Sequence, residues 1–173
     1  MVLLILVFLS LTLALSPQSR LQGPVKVLKV VDGDTLDLER IGRIRLIGID
    51  APESTYNRRT SGAQEIRLGL MAKAFTASLV SGKFVWLELD AQQRDKYGRV
   101  LVYLYLKDPA GDWAHQGKRY RQVNLEIIRA GWADSLTIAP NVRYAELYVQ
   151  AARGARAKGL GMWGLEVRLF GPL

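Results

Sequence analysis

Val25 to Val31 is a valine-rich run broken by Lys26 and Lys29, and Asp32-Gly33 then supplies a tight-turn pair, so a first strand is predicted there. Thr35 to Leu38 alternates polar and apolar, and a third β run spans Arg43 to Ile49 after a turn at Gly42. From Ser61 to Leu79 the period lengthens: Ile66, Leu70, Ala74 and Ala77 recur at helical spacing beside Leu68, Met71, Phe75 and Leu79, with Gly82 as the stop. Phe84 to Leu89 and Val100 to Leu106 read as strands four and five. "VNLEIIRAGW" reads as a short helix ending at Gly131. "NVRYAELYVQAARGARAKGLGMW" reads as a longer one, with Asn141 as N-cap and Gly159 as stop. No internal repeat or low-complexity segment interrupts this order. Five short strands with a helix after the third predict an α+β, mainly β, fold: a five-stranded OB-type Greek-key barrel packed with about three α-helices.

The N-terminus departs from this pattern. Val2 to Leu15 is an uncharged apolar run of 14 residues, short of the roughly 20 that cross a bilayer as a helix. Its length and the Ala14-Leu15-Ser16 stretch match an export signal, with an uncleaved membrane anchor as the alternative. The chain divides into a signal or anchor (1–19), a linker (20–24), a single domain (25–165) and a short tail (166–173). Expected localisation is exported, secreted or periplasmic, or membrane-attached through residues 2–15 if the leader is kept.

Charge narrows the class of partner. The chain of 173 residues carries +8, and Arg20 is its first charged side chain, so the surplus belongs to the folded part. A basic surface favours nucleic acid, an anionic membrane or an acidic protein. With no cysteine, disulfides, thiolate nucleophiles and thiolate metal sites are excluded.

The chemistry is concentrated in "VVDGDTLDLERIGRIRLIGIDAPE", which delivers Asp34, Arg45, Asp50 and Glu53 within twenty residues. Asp-Gly-Asp-Thr alone is turn chemistry. The second cluster, Asp50 to Glu53 with Pro52 between, changes the picture. If strands two and three form a hairpin, Asp34 and Asp50 reach the same end of it. Two carboxylates there repel unless a cation lies between them. Oxygen-only ligands suit Ca²⁺ or Mg²⁺, with the Ala51 carbonyl as a further donor. The competing reading pairs each acid with a neighbouring arginine. Arg45 and Asp50 are five positions apart, so a flat strand would point them to opposite faces. An irregular backbone around Gly48 to Asp50 is therefore predicted, bringing both to one site.

A third element, "DKYGRVLVYLY", places Arg99 after a Tyr-Gly turn at the start of strand five. A guanidinium donates paired hydrogen bonds to phosphate oxygens. Two arginines, a carboxylate-bound cation and a spare carboxylate are the parts for cleaving a phosphodiester. The cation and arginines would neutralise the gathering charge, and Glu53 would orient or deprotonate the attacking water.

"VVDGDTLDL", "RIRLIGIDAPE", "DKYGR", "VNLEIIRAGWA" and "AKGLGMW" occur in the order seen in staphylococcal-nuclease-like (thermonuclease) domains, and the chain resembles that family from Val25 to Trp163. The resemblance implies a Ca²⁺-dependent endonuclease, with Mg²⁺ the second choice of cation; a monomer is the default expectation. It would act on single-stranded or frayed DNA and RNA, releasing the 5′ oxygen and leaving 3′-phosphate ends. Asp34, Asp50 and the Ala51 carbonyl would hold calcium, Arg45 and Arg99 the phosphate, and Glu53 the water. Lys96 and Tyr97 would contact a neighbouring phosphate.

Two segments depart from the family pattern. "SLTIAP" puts Leu136 and Ile138 where the staphylococcal domains carry two tyrosines against the nucleotide, and aliphatic side chains stack less well on a base. The Lys107 to Gln122 loop is long and interleaves Trp113, His115 and Tyr120 with Lys118, Arg119 and Arg121. It reads either as a nucleic-acid contact or as a solvated hairpin whose Trp113 covers the barrel, the second reading favoured. Arg58 and Arg59, after Glu53, are candidate backbone contacts or a charged loop. The alternative function class is a non-catalytic module of this fold that binds nucleic acid or protein. Retention of Asp34, Arg45, Asp50, Glu53 and Arg99 together favours the enzyme.

Overall fold

The structure, a computed structural model, describes residues 21–56 and 62–164. The expected leader, Arg58, Arg59 and the tail from residue 166 lie outside the described residues. Nine strands and three helices follow in order among the described residues: β1 (Gln22–Asp32), β2 (Thr35–Leu38), β3 (Gly42–Leu46), β4 (Ile49–Asp50), α1 (Ala63–Val80), β5 (Phe84–Glu88), β6 (Val100–Lys107), β7 (Trp113–His115), β8 (Lys118–Gln122), α2 (Val123–Arg129), β9 (Asp134–Ser135) and α3 (Ala145–Ala157).

β3, β2, β1, β5 and β6 are neighbours in that order, and β3 also pairs in parallel with β6, which closes five strands into the expected barrel. Closure leaves these strands without an open edge. Alternation fills the interior: Val27, Leu36, Ile44, Leu46, Val85, Leu87, Val102 and Leu104 are all buried. Arg45, between Ile44 and Leu46, necessarily points outward.

The structure differs from the sequence expectation in five places. α1 buries Leu68, Gly69, Ala72, Thr76 and Val80 rather than the row Ile66, Leu70, Ala74 and Ala77, and Leu70 is 52% exposed. β1 begins at Gln22, so most of the expected linker belongs to the sheet. The predicted third run breaks after Leu46, and the chain turns at Gly48, where φ is 81°. A Cβ at Gly48 would also sit 2.5 Å from the Tyr148 ring, so both backbone angle and space require glycine there. Two short strands were not expected: β4 and β9 pair antiparallel, Asp50 opposite Asp134. Asn141 does not cap α3, which starts at Ala145 after Tyr144. Its side chain instead accepts from the Gln92 N–H (2.8 Å) and donates to the Gln92 carbonyl (2.9 Å).

α2 is tied to the barrel through Asn124, which is fully buried. Its Oδ1 accepts from Leu104 N–H (2.9 Å) and its Nδ2 donates to the Ile47 carbonyl (2.9 Å). The irregular segment after β3 is thereby fixed from inside the core. An unmade bond in that setting would cost on the order of 1–3 kcal/mol.

Candidate active site

Asp34 stands at the start of the β1–β2 hairpin and is only 2% exposed. One carboxylate oxygen accepts the Thr35 hydroxyl (2.9 Å) and the other the Ala51 N–H (3.0 Å). Arg45 forms an ion pair with the Asp34 carboxylate. From the same guanidinium, Nη2 donates to Asp50 (2.8 Å) and to the Ile49 carbonyl (3.3 Å). Arg45 and Asp50 do reach one place despite their odd spacing, because the chain reverses at Gly48. The acids also follow the competing expectation, with one arginine serving both.

Glu53 lies on the loop after β4, beside Asp32. Both Asp32 oxygens accept the Ser54 N–H, at 3.2 and 3.3 Å, and one accepts the Gly33 N–H at 2.9 Å. Burial, a hydrogen bond shared with Asp32 and the charges of Asp32 and Asp34 raise the Glu53 carboxyl above its ordinary value, against the pull of Arg45. α1 sets the loop's height: a Cβ on Gly69 would collide with the Glu53 carbonyl, so only glycine lets the helix approach that closely. Asp32 is the site residue that sequence reading missed, since Asp-Gly reads as a turn. Its partners lie 22 positions away, and no local pattern reports them.

Arg99 comes to the same face by strand register. Arg45 is opposite Leu101 across the parallel β3–β6 pair, so Arg99, two residues before Leu101, shares the outward side with Arg45. Two residues of rise and one strand spacing put their Cα atoms ~8 Å apart. Asp95 holds this arginine: its Oδ2 accepts Arg99 Nε–H at 2.7 Å, and its Oδ1 accepts the N–H groups of Tyr97 and Arg99 at 2.9 and 3.0 Å. Tyr97 is 68% exposed. Lys96 Nζ and the Arg99 guanidinium lie 5.1 and 5.6 Å from the centre of its ring. Among the described residues no hydrogen bond or ion pair joins this group to Asp34, Arg45 and Asp50. The expected residues therefore form two adjoining clusters, one acidic around Arg45 and one basic and aromatic around Tyr97.

The acidic cluster suits a hard cation in its chemistry. Asp34 and Asp50 share the Arg45 guanidinium, Asp32 and Glu53 lie beside one another next to them, and every donor is oxygen. Burial raises the Asp34 carboxyl, outweighing the opposing effect of Arg45 and of the hydrogen bonds from Ala51 and Thr35. Among the described residues no three acidic or imidazole side chains form a ready metal cage.

Leu136 borders the site, and Ile138 follows two residues on, bridged to Asn141. Leu136 N–H bonds to the Gly48 carbonyl at 3.0 Å, next to the β4–β9 pair. The Leu136 and Ile138 side chains are 38% and 62% exposed, leaving an aliphatic wall open to solvent. The Lys107–Gln122 segment is the hairpin β7–β8, and Trp113 packs edge-on against Tyr105 and Tyr144. Arg121 pairs with Asp108 (2.7 Å), and Arg119 Nε–H donates to the Gly111 carbonyl (2.7 Å). His115 lies on this hairpin against Tyr120. Trp113 thus covers this side of the barrel.

Residues 43–164 match the model of the staphylococcal nuclease homologue family. That span includes Arg45, Asp50, Glu53, Lys96, Tyr97 and Arg99, while Asp34 precedes it. The chain is 33% identical over 140 residues to the thermonuclease of Staphylococcus intermedius, covering 79% of this chain and 74% of the relative. It is 31% identical over 141 residues to the Staphylococcus hyicus thermonuclease, covering 80% and 74%. An uncharacterized endonuclease of Haemophilus influenzae is 29% identical over 153 residues, covering 86% and 71%. A barrel that turns at Gly48 to place Asp50 on Arg45 is thus joined to a sequence match over most of the chain, and the chain belongs to the staphylococcal nuclease homologue family.

Proposed function

We propose that this protein is an exported, calcium-dependent nuclease that hydrolyses phosphodiester bonds of DNA or RNA. The observation that carries the proposal is the convergence of Asp34 and Asp50 on Arg45, with Glu53 beside them and Arg99 on the next strand. Relatives named as thermonucleases and an endonuclease support the reaction class. Export rests on the apolar run from Val2 to Leu15.

Asp34, Asp50 and the Ala51 carbonyl would hold the cation. Bound calcium supplies positive charge to the phosphoryl oxygens and relieves the repulsion among the carboxylates. Arg45 and Arg99 bind the scissile phosphate as paired donors, and their charge is worth most as negative charge gathers in the transition state. Glu53 accepts a proton from the attacking water. Its raised affinity for protons, caused by burial and Asp32, brings its basicity closer to neutral pH. Water oxygen bonds to phosphorus, the bond from phosphorus to the 5′ oxygen breaks, and that oxygen takes a proton from solvent water as it leaves. A 3′-phosphate remains. Lys96 and Tyr97 hold a neighbouring phosphate. Leu136 and Ile138 offer a base contact area without an aromatic stack, which predicts weak base preference.

Digestion of single-stranded DNA with calcium, then with a chelator, tests the reading. The expected result is cleavage to 3′-phosphate ends that stops on chelation. Cleavage indifferent to chelation refutes the cation site, and absence of cleavage in both conditions favours a binding module.

A further inference from the structure

A second surface lies at the other end of β1, away from the acids. Lys26 on β1 is paired across the sheet with Phe84 on β5. Continuing the β5–β6 register from Trp86 opposite Tyr105 puts Lys107 opposite Phe84. Lys26, Phe84 and Lys107 therefore form one cross-strand row, and strand alternation turns all three to the same side. Phe84 is 55% exposed, and both lysines are exposed. Lys83 and Leu28 adjoin the row: Lys83 precedes Phe84, and Leu28 lies two residues past Lys26 on the same face, 61% exposed. None of Lys26, Lys83 and Lys107 forms an ion pair among the described residues, whereas most of the arginines near the site do.

We infer that this row is a second contact for single-stranded nucleic acid, separate from the cleavage site, with Phe84 stacking on a base and Lys26 and Lys107 on the flanking phosphates. The inference deepens the nuclease reading by giving the polymer substrate an anchor. An exposed aromatic ring with an ammonium on each side, one strand spacing away, matches a chain that alternates flat bases and phosphates. The distance supports a shared strand. From Lys26 to Asp32 is six residues of β1, about 20 Å. At ~3.4 Å per stacked nucleotide this is roughly six nucleotides, within the 4–16 that barrels of this kind occupy. A lipid surface would also favour lysines beside exposed apolar groups. The single ring of Phe84 between two ammonium groups matches one base between two phosphates more closely than a continuous apolar face.

The test is fluorescence anisotropy of the full chain with labelled oligothymidylates of four and twelve nucleotides, in chelator so that no cleavage occurs. The twelve-mer is expected to bind more tightly. Phe84→Ala should weaken twelve-mer binding about 10–100-fold while leaving the four-mer unchanged, and Phe84→Trp should restore it. Lys26→Gln with Lys107→Gln should flatten the salt dependence by about 1.4 in log–log slope. Phe84 is exposed, so its replacement leaves the core intact, which thermal unfolding verifies. Equal twelve-mer affinity and salt slope in these variants overturns the proposal. Phe84-dependent binding to phosphatidylglycerol vesicles but not to the twelve-mer overturns it in favour of lipid. Phe84-dependent twelve-mer binding by a chain that never cleaves would uphold this surface and defeat the nuclease reading alone.

Discussion

Arg45→Met removes the guanidinium that, among the described residues, reaches both Asp34 and Asp50. The two contacts it breaks differ in weight. Asp34 is 2% exposed in its side chain, whereas that of Asp50 is 60% exposed. Loss of one partner from a buried pair leaves an uncompensated charge, at a cost of about 3–5 kcal/mol. The exposed pair with Asp50 adds at most about 1 kcal/mol. At 2–4 °C per kcal/mol for a domain of this size, the melting temperature should fall by roughly 6–20 °C. Asp50→Asn should shift it by no more than about 4 °C. The assay is thermal unfolding in chelator for Arg45→Met, Asp34→Asn and the double variant. Because Asp34→Asn removes the stranded charge, the double variant should recover much of the loss, with a coupling energy of about 3 kcal/mol. Calcium should then stabilise Arg45→Met more than the parent, since the competing guanidinium is gone. Melting of Arg45→Met within about 2 °C of the parent would refute the claim that Arg45 compensates buried Asp34.

Three further outcomes are expected. Glu53→Gln should retain nucleic-acid binding but cleave about 10²–10⁴-fold more slowly, checked by single-turnover kinetics; cleavage at the parent rate would give the water to another group. Gly69→Ala pushes a methyl against the Glu53 carbonyl, so denaturant melts should show a loss of about 1–3 kcal/mol, with a lower kcat from the displaced loop. Burial raises the Asp95 carboxyl, but hydrogen bonds from Arg99 and Tyr97 outweigh it and leave the group below its ordinary value. Its contribution to stability is therefore present above the unfolded value near 3.9 and is lost as pH falls through the lower folded value. Asp95→Asn should reduce stability at neutral pH and narrow its gap to the parent in acid, as urea titrations across pH 2–6 would show.

What the sequence revealed follows from the range of the forces involved. Barrel strands carry a repeating period, because a closed sheet needs one apolar face per strand. α1 was legible as a helix but not in its docked face, because that face is built from small residues (Gly69, Ala72, Thr76) that carry little apolar signal. The break at Gly48 was readable for another reason: Arg45 and Asp50 have the wrong parity for a flat strand. Asn141 was misread because its side chain bonds to Gln92, 49 positions away, rather than to the first turn of α3. The β4–β9 pair has two residues on each strand, too few to show a period. Asp32 looked like a turn residue, and only the folded loop shows it accepting from Ser54 and pressing on Glu53. Of the candidate site, the chemical types were legible and the ion pair of Arg45 with both acids was one of two readings. The division into two adjoining clusters was not, since it depends on Asp95 turning Arg99 toward Tyr97.

The most direct measurement is a crystal structure grown with calcium and a nucleoside 3′,5′-bisphosphate. The account predicts one calcium ion bound by Asp34, Asp50 and the Ala51 carbonyl, with Arg45 and Arg99 on the phosphate and a water within hydrogen-bonding reach of Glu53. Calcium bound elsewhere, with Arg45 still paired to both acids and the phosphate away from Arg99, would contradict it.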